Sequence, residues 1–493
     1  MTDKLPEGWA TATLNELCAV ITDGTHQTPS YVTEGVPFIS TANLRPFSIG
    51  FDFTQYRRFI SAREHSTLTR RCTPDKGDIL LSKCGTIGRV KEVDVDFPFS
   101  IFVGLALLKP HRGVFSSKFA EFWLNCPYVK AQFDENSPGS TRRTLTLKGI
   151  KPVVIPIPPI AEQKRLVEKL EKLLAEVEQC KERMAKIPVL LKRFRQSVLA
   201  AACSGRLTAD WREEQPSANG TTEVSDDLPD GWQVTSVGDV IADLKYGTSQ
   251  RCSREKSGTP VLRIPNIGDG VVDRTDLKYA DLPDRELGRL ALVPGDILVI
   301  RSNGSVSLVG KSAMVREPEK GFAYAGYLIR LRVKRNVVLP EFLNLSLGSH
   351  AVRLQIEVPA RSTSGVNNIN SDEVRSLKVF LPPVAEQDEI VRRVGKLFAL
   401  ADRIDERYRT AKKQVDSLTQ SILAKAFRGD LVPTEAELAE AEGRSFESAE
   451  GLLRKIGRRE IATEQDESQQ SPGRGRKQSP RPARSTGRTT PVK

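Results

Sequence analysis

Two long stretches of the chain carry apolar residues at spacings that alternate between four and three positions. The first runs from Leu166 to Val198 and the second from Ile390 to Ile422, and Glu, Lys and Arg fill the faces between. This heptad pattern is typical of a helix that packs lengthwise against another helix. The helix-packing positions that it predicts are Leu166, Leu170, Leu173 and Val177 in the first stretch and Ile390, Val394, Leu397 and Ile404 in the second.

Packing of each stretch against the protein's own globular core is the alternative interpretation of these stripes. Two matching stripes of similar length favour packing of the helices on each other. Pro188 interrupts the first stretch and should kink or break its helix, whereas Lys412 occupies the matching place in the second.

The segments before each stretch have a different pattern, with short apolar runs punctuated by Gly, Pro, Asn and Asp. GDILLS at 77–82 and GDILVI at 295–300 predict buried strands that are entered through a Gly-Asp turn. Strands should also close each segment, at 153–158 and 377–382, and helices are expected at 9–21, around 119–126 and at 340–348. The pattern indicates a mixed α+β globule that occurs twice.

The chain repeats itself at a nearly constant offset. LPEGW at 5–9 returns as LPDGW 223 residues later, and PPIAEQ at 158–163 returns as PPVAEQ after 224 residues. The apolar positions of the first heptad stretch, which we call the seam, also recur as the seam of the second stretch 224 residues later. The predicted organisation is a first globule at 1–157, a helix at 158–211, a polar linker at 212–227, a second globule at 228–381, a second helix at 382–431, a C-terminal helical segment at 432–464 and a disordered basic tail at 465–493.

Composition narrows the class of protein only slightly. The formal charge of +12 would suit a polyanionic partner, but seven of these charges lie in residues 471–493, which hold no Asp or Glu. The seven cysteines are scattered and form no CxxC pair, which argues against a disulfide framework or a zinc site and favours a reducing cytoplasm. No signal-peptide pattern or membrane-length apolar run is seen, so we expect a cytoplasmic protein without a membrane partner.

The catalytic signals in the sequence are weak. The four histidines do not cluster at ligand spacing, so no metal site is predicted. GSVSLVGKS at 304–312 has five residues between its glycines where a phosphate-binding loop has four. Pro229-Asp230 with Asp243 and Lys245 loosely fits a nuclease pattern, but the first pair belongs to the repeated LPDGW. We predict no catalytic residue in this chain.

The ordered, duplicated motifs resemble those of the specificity subunits of type I restriction-modification enzymes. The resemblance spans residues 5–431 and rests on 23–44, on 246–267, on the GDIL strands, on both PPxAEQ motifs and on 191–208. It implies two target-recognition domains separated by an antiparallel pair of coiled-coil helices, each domain reading one half of a split, asymmetric target in double-stranded DNA. It also implies that the helix pair sets the spacer and docks two methyltransferase subunits.

The same resemblance places all chemistry on other subunits. S-adenosylmethionine would be bound by the methyltransferase subunits, and ATP and Mg²⁺ by separate restriction and translocase subunits, with no cofactor on this chain. Two other hypotheses stay open at this point. One is a nuclease or methyltransferase that keeps its own active site here, and the other is a coiled-coil scaffold whose globules bind proteins rather than DNA.

Base reading needs Arg, Lys, Asn, Gln and similar side chains on exposed loops. The candidates in the first globule are Thr25, His26, Gln27, Lys83, Thr86, Arg89, Arg142 and Arg143. Those in the second globule are Arg301, Asn303, Ser305, Arg361, Thr363, Asn367 and Asn368. A solvated loop position, a contact to phosphate alone or, for Thr25, a turn-forming role are the alternatives.

Overall fold

The structure is a computed structural model that describes residues 5–48, 50–54, 57–137, 143–214, 228–358 and 367–456. These residues form two compact units. Unit 1 comprises the described residues up to 181 together with those from 414 onward, and unit 2 comprises those between 182 and 413. No helix within the described ranges is both long enough and apolar enough to cross a membrane.

Unit 1 is built on a four-stranded antiparallel sheet in the order β2-β9-β6-β7. A second sheet has the order β3-β5-β4-β8, and β1 pairs with β10. The elements are β1 (Ala10–Thr13), α1 (Leu14–Leu17), β2 (Cys18–Asp23), β3 (Tyr31–Val32), β4 (Val36–Ile39), β5 (Phe59–Ile60), α2 (Ala62–Leu68), β6 (Ile79–Ser82), β7 (Val90–Glu92), β8 (Ser100–Ile101), β9 (Leu105–Pro110), α3 (Ser117–Leu124), α4 (Pro127–Glu135), α5 (Leu147–Ile150), β10 (Val154–Ile157) and α6 (Ile160–Ala185).

Unit 2 has a five-stranded sheet in the order β12-β20-β16-β18-β14, with smaller sheets β15-β13-β19, β11-β22 and β17-β21. Its elements are α7 (Ile187–Cys203), α8 (Ala209–Glu213), β11 (Gln233–Ser236), α9 (Val237–Val240), β12 (Ile241–Tyr246), β13 (Thr259–Leu262), β14 (Gly270–Val271), β15 (Lys278–Ala280), α10 (Asp284–Leu290), β16 (Ile297–Ile300), β17 (Ser302–Asn303), β18 (Ser312–Met314), β19 (Ala323–Tyr324), β20 (Leu328–Val333), α11 (Pro340–Gly348), α12 (His350–Glu357), β21 (Asn367–Asn368), α13 (Ser371–Ser376) and β22 (Lys378–Leu381). The mixed α+β class predicted for each globule is what both units have.

The predicted GDIL strands lie at the centre of both main sheets as β6 and β16. In β6, Ile79 and Leu81 belong to one apolar core and Leu80 to another, because alternate side chains point to opposite faces of the sheet. In β16, Ile297 and Leu298 divide between two cores in the same way. Burial on both faces explains why these strands are continuous apolar runs rather than alternating ones.

The helix expected over residues 9–21 is wrong. The structure has β1, the single turn α1 and β2 there. Thr13 ends the first strand and caps α1, since its hydroxyl accepts from the backbone N–H of Glu16 while the Glu16 carboxylate accepts from the backbone N–H of Thr13. β1 and β2 each find an antiparallel partner far along the chain, and this pairing overrides the local helical pattern.

The first long helix is broken as Pro188 predicted. Helix α6 ends at Ala185 and α7 begins at Ile187, which places Pro188 in the first turn of α7, where its missing N–H costs no helical hydrogen bond. The second long helix, α14 (Val384–Arg428), is continuous through Lys412. Helix α15 (Glu435–Glu442) and helical residues 449–456 follow it.

The predicted seam positions differ in burial. In unit 1, Leu166 and Leu170 are fully buried in a core that also holds Leu423 and Phe427 of α14, Val177 is buried, and Leu173 is half-buried. In unit 2, Ile390 and Val394 share a core with Val198 and Ala202 of α7, and Leu397 is half-buried, but Ile404 is 41% exposed. The buried seam residues therefore contact the globule and the other long helix together.

The predicted linker and tail lie mostly outside the described residues. Within 212–227, Arg212 and Glu213 belong to α8 and residues 215–227 are not described. Residues 465–493 are not described either.

Candidate nucleic-acid interface

Three chain segments of unit 1 meet at the end of strand β6. The backbone N–H of Lys83 donates to the carbonyl of Gly104 (2.7 Å), and that of Leu145 donates to the carbonyl of Lys83 (2.8 Å). The backbone N–H of Thr25 donates to the carbonyl of Ile101 (3.1 Å). The loops that carry the sequence-predicted residues of the first globule are thereby tied to one edge of the sheet.

Unit 2 has the same connections at the end of strand β16. Arg301 donates its backbone N–H to the carbonyl of Tyr327 (2.9 Å) and accepts from the N–H of Ile369 (2.9 Å). Thr248 donates to the carbonyl of Tyr324 (2.8 Å). Each contact of unit 1 therefore has a counterpart between residues at equivalent sequence positions.

A glycine lets these loops approach one another closely in each unit. A Cβ atom on Gly24 would lie 2.2 Å from the carbonyl oxygen of Ile101, and one on Gly247 would lie 2.2 Å from that of Tyr324. No side chain fits at either position, which explains the Gly-Thr pair found in both loops.

A cluster of charged side chains surrounds the buried Asp23 beside the first loop of unit 1. Asp23 is 2.5 Å from the ammonium of Lys83, 2.9 Å from the guanidinium of Arg71 and 3.4 Å from Nε2 of His26. Burial alone would raise the pKa of Asp23, but its hydrogen bonds and charge interactions with Lys83 and His26 outweigh this and lower the pKa below its usual value. Lys83 is only 7% exposed and its charge is satisfied inside the cluster, whereas His26 is 59% exposed.

Thr25 has a turn-forming role in this loop. Its hydroxyl donates to the carbonyl of Gln27 (3.1 Å) and accepts from the N–H of the same residue (3.2 Å). This turn leaves the side chains of His26 and Gln27 at the surface.

The Ser82 side chain stabilises the loop after β6 through two hydrogen bonds to its backbone. Its hydroxyl donates to the carbonyl of Thr86 (2.6 Å) and accepts from the N–H of Arg89 (2.8 Å). Thr86 is exposed and Arg89 half-buried. Burial lowers the pKa of the neighbouring Lys130, and the charge of Arg89 lowers it further.

Of the two arginines in the 137–146 loop, Arg143 lies within the described residues and Arg142 lies outside them. The Arg143 guanidinium donates to the backbone carbonyls of Asp134 and Ser137 and lies 3.4 Å from the Asp134 carboxylate. These contacts tie the loop to the end of α4 while the side chain stays 45% exposed.

In unit 2 the asparagines mainly shape the loops. The Asn303 side chain accepts from the N–H of Ser305 (2.8 Å), and the buried Asn367 amide donates to the carbonyl of Gly304 (3.1 Å). Ser305 and Asn368 are exposed at the same edge, where β17 and β21 pair. Arg361 and Thr363 lie outside the described residues.

Arg301 lines a cleft in unit 2 of about 830 Å³. Its guanidinium carbon lies 4.7 Å from the centre of the Tyr246 ring, a cation–π contact. The cleft also holds Arg263 and Lys278, and none of the described residues that line it is Asp or Glu. A cationic cleft with aromatic walls suits a polyanion that carries planar bases.

Sequence reasoning missed a matched pair of buried carboxylates at the starts of the long helices. In unit 1 the Glu162 carboxylate accepts from Nε1 of Trp9 (3.0 Å) and from the N–H of Glu435 (2.9 Å). In unit 2 the Glu386 carboxylate accepts from Nε1 of Trp232 (3.0 Å) and from the hydroxyl of Thr208 (2.6 Å). Thr208, like Glu435 in unit 1, lies in the segment that follows a long helix. The signal was present, because the repeated LP[ED]GW and PPxAEQ motifs are the two sides of this contact.

The weak catalytic patterns have structural explanations. Asp243 lies in β12 and pairs with Arg330 and Lys245, while Asp230 is exposed at a turn. Gly304 is followed by one 3-10 turn and then β18, so a phosphate-binding strand–loop–helix is not formed. Across the described ranges no group of three or more His, Cys, Asp or Glu side chains could hold a metal ion.

Comparison with known proteins gives a consistent result. The family model of the type I restriction modification DNA specificity domain matches residues 6–188 and again 229–410. The EcoKI specificity subunit of Escherichia coli (strain K12) is 33% identical over 440 residues, covering 87% of this chain and 90% of that protein. The StySPI specificity subunit of Salmonella potsdam is 32% identical over 439 residues with the same coverage.

Solved structures share the fold. A chain from a structure of a type I R-M system, determined to describe complex assembly and conformational transition, aligns with a TM-score of 0.58 at 19% identity over 87% of this chain and 100% of its own. The HsdS subunit from Thermoanaerobacter tengcongensis aligns with a TM-score of 0.52 at 20% identity over 87% of this chain and 99% of its own.

Proposed function

The chain belongs to the type I restriction modification DNA specificity family, and from this premise we propose that it is the DNA-recognition subunit of a type I restriction-modification complex. The observation that carries the proposal is the double match to the specificity domain, over two units whose loop ends are built from equivalent contacts. The subunit is a non-catalytic component of the complex, as its relatives are specificity subunits.

Each unit reads one half of a split target. The loop ends of the two units share backbone connections but carry different side chains, with Asp23 and Lys83 in unit 1 at the positions of Tyr246 and Arg301 in unit 2. Two similar frames with unlike side chains favour two unlike half-sites, and therefore an asymmetric target. The exposed candidates for base or phosphate contact are His26, Gln27, Thr86, Arg143, Ser305 and Asn368, together with Arg89, which is half-buried, and Arg301 in the cleft.

The long helices set the distance between the half-sites. In unit 1 the beginning of α6 shares a core with the end of α14, and in unit 2 the end of α7 shares a core with the beginning of α14. This reversal supports an antiparallel coiled-coil pair and an internal two-fold repeat. A stiff helical connection enforces a fixed spacing that a flexible linker would not.

The same helices dock two methyltransferase subunits. Apolar side chains of α7 and α14 in unit 2 are exposed, namely Val189 (53%), Leu190 (57%), Leu400 (43%) and Ile404 (41%). Exposed apolar groups on a helix surface favour a protein partner. S-adenosylmethionine would then be bound by those subunits, ATP and Mg²⁺ by restriction and translocase subunits, and the complex would act in the cytoplasm.

Genome-wide methylation mapping tests the proposal. The host carrying this gene and its neighbouring methyltransferase gene is compared with a deletion of this gene alone. We expect the deletion to erase adenine methylation at one split, asymmetric motif. Unchanged methylation in an expressed system would reject the recognition role and favour the scaffold hypothesis.

Two further changes separate the parts of the proposal. Exchanging residues 1–157 for those of a related subunit should change one half-site only. Inserting one heptad into both long helices should change the spacer and leave both half-sites intact. An unchanged spacer would reject the role of the helices as a ruler.

A further inference from the structure

Lys83 and Arg301 occupy equivalent positions but have opposite surroundings. Each follows the central strand of its unit, and each bonds through its backbone to the same two neighbouring segments. In unit 1 the ammonium of Lys83 is 2.5 Å from the buried Asp23 and is 7% exposed. In unit 2 Tyr246 stands where Asp23 would be, so among the described residues the cation of Arg301 meets an aromatic ring and no carboxylate.

The ring beneath Arg301 is itself fixed. The Tyr246 hydroxyl accepts from the backbone N–H of Ser371 (3.0 Å) and hydrogen-bonds with the Ser371 hydroxyl (2.5 Å) at the start of α13. A guanidinium that lies on a fixed ring loses little conformational freedom when it binds a second group.

Within the described part of the chain, the Arg301 guanidinium has no hydrogen-bond or ion-pair partner. Its Nε is buried and unpartnered. The other arginine of the cleft is committed, since Arg263 lies 2.8 Å from the carboxylate of Asp276. Arg301 is thus the arginine of this cleft that is oriented and unpaired.

The chemistry of Arg301 fits one base edge in particular. A planar guanidinium presents parallel N–H donors, and guanine is the base with two adjacent acceptors, O6 and N7, on its major-groove edge. Gln250 and Tyr327, the latter 63% exposed, line the same cleft and add a polar and an aromatic group beside this position.

We propose that Arg301, aligned by Tyr246, reads a guanine through O6 and N7 in the half-site bound by unit 2, while Asp23 neutralises the equivalent cation of unit 1. Arg301 is a specificity-determining residue and Tyr246 a positioning residue. The proposal rests on the proposed function, because it takes DNA as the ligand of this cleft.

The test uses the full complex with its cognate methyltransferase subunits. Methylation of a DNA library defines the wild-type motif, and exchange of residues 1–157 identifies the half-site of unit 2. The variants are Arg301→Lys, which keeps the charge but loses the planar fork, Arg301→Ala, Tyr246→Phe and Tyr246→Ala. Arg285→Ala, which removes an exposed arginine of α10 in the same unit, is the matched control.

We expect both Arg301 variants to lose preference for guanine at one position of the unit 2 half-site by about ten- to a hundredfold, with the other half-site unchanged. Tyr246→Phe keeps the ring but loses its hydrogen bonds to Ser371, so it should weaken the preference less than Tyr246→Ala does. Arg285→Ala should keep the full motif. Thermal melting of each purified variant checks that it is folded. We expect Arg301→Lys, the mildest change, to melt like the wild type.

Three results would overturn the proposal. One is a unit 2 half-site that contains no G·C pair. Another is an Arg301→Lys complex that keeps its full guanine preference. The third is an Arg301→Ala complex whose methylation falls uniformly at all sequences, which is the behaviour of a phosphate contact. A wild-type complex that selects no split motif would instead reject the proposed function itself.

Discussion

Replacing Ile390 and Ile404 by alanine, one at a time, should give unequal losses of stability although both occupy seam positions of α14 in unit 2. The change removes three carbon groups, each worth about 0.8 kcal/mol when fully buried. Ile390 is 0% exposed within a packed core, so its removal also leaves a cavity and should lower the free energy of unfolding by about 2–5 kcal/mol. Ile404 is 41% exposed, which scales the loss to roughly 1.4 kcal/mol without a cavity.

The measurement has to resolve unit 2 from unit 1, because two units need not unfold together. Urea titration followed by hydrogen exchange of peptides from residues 384–413 reports the unit that contains both positions. Equal losses for the two variants would refute the reasoning, since Ile404 would then be buried in solution as deeply as Ile390. A loss below about 1 kcal/mol for Ile390→Ala would contradict its place in the core.

Three further predictions test single features. Burial raises the pKa of Glu162 from 4.5 to about 6, so folding favours its protonated form. The free energy of unfolding of the wild type, relative to that of Glu162→Gln, should therefore fall by about 2 kcal/mol as the pH rises from 4 to 7. Urea titrations that give the same difference at both pH values would contradict this. Leu400→Glu should leave unit 2 folded but abolish co-purification of the methyltransferase subunit, and retained binding would remove Leu400 from the docking surface. Gly429→Ala should destabilise unit 1 by at least about 1 kcal/mol in thermal melting, because φ is +85° and a Cβ would lie 2.7 Å from Pro6. The equivalent change in unit 2, Gly205→Ala, should destabilise unit 2 instead. No loss of stability in either variant would contradict the strain inferred at these turns.

The central strands and the helix break were predictable because their causes are local. β6 and β16 are short, continuous apolar runs that begin after a Gly-Asp turn. A run this short that follows a turn indicates a strand rather than a helix. Pro188 breaks a helix wherever it falls beyond the first turn, so α7 has to begin beside it.

The errors and omissions come from contacts between distant residues. Residues 9–21 have a pattern that fits a helix, but β10 and β9 provide partner strands that sequence periodicity cannot reveal. The seam pattern likewise assigns Leu166 and Ile404 equal roles, although one is buried by a globule and the other is exposed.

The chemical surroundings of the candidate residues depend on contacts between positions that are distant in the sequence. The repeat placed Lys83 and Arg301 at equivalent positions, and the structure brings both to the same kind of loop junction. Their different chemistry depends on Asp23 and Tyr246, and the Asp23–Lys83 pair joins residues 60 positions apart. Only the folded chain shows which cation is neutralised.

The completion of unit 1 by residues from 414 onward has a consequence for synthesis on the ribosome. Glu162 emerges early, but the N–H of Glu435 that it binds is 273 residues further along the chain. At the usual rate of about 5–20 residues per second, the nascent carboxylate waits roughly 14 to 55 s for that partner. The described residues of unit 2 all lie between 182 and 413, so the second globule to be translated is the first for which all of them are available. Until then the first globule exposes the apolar surface that Ala449 and Leu452 later cover.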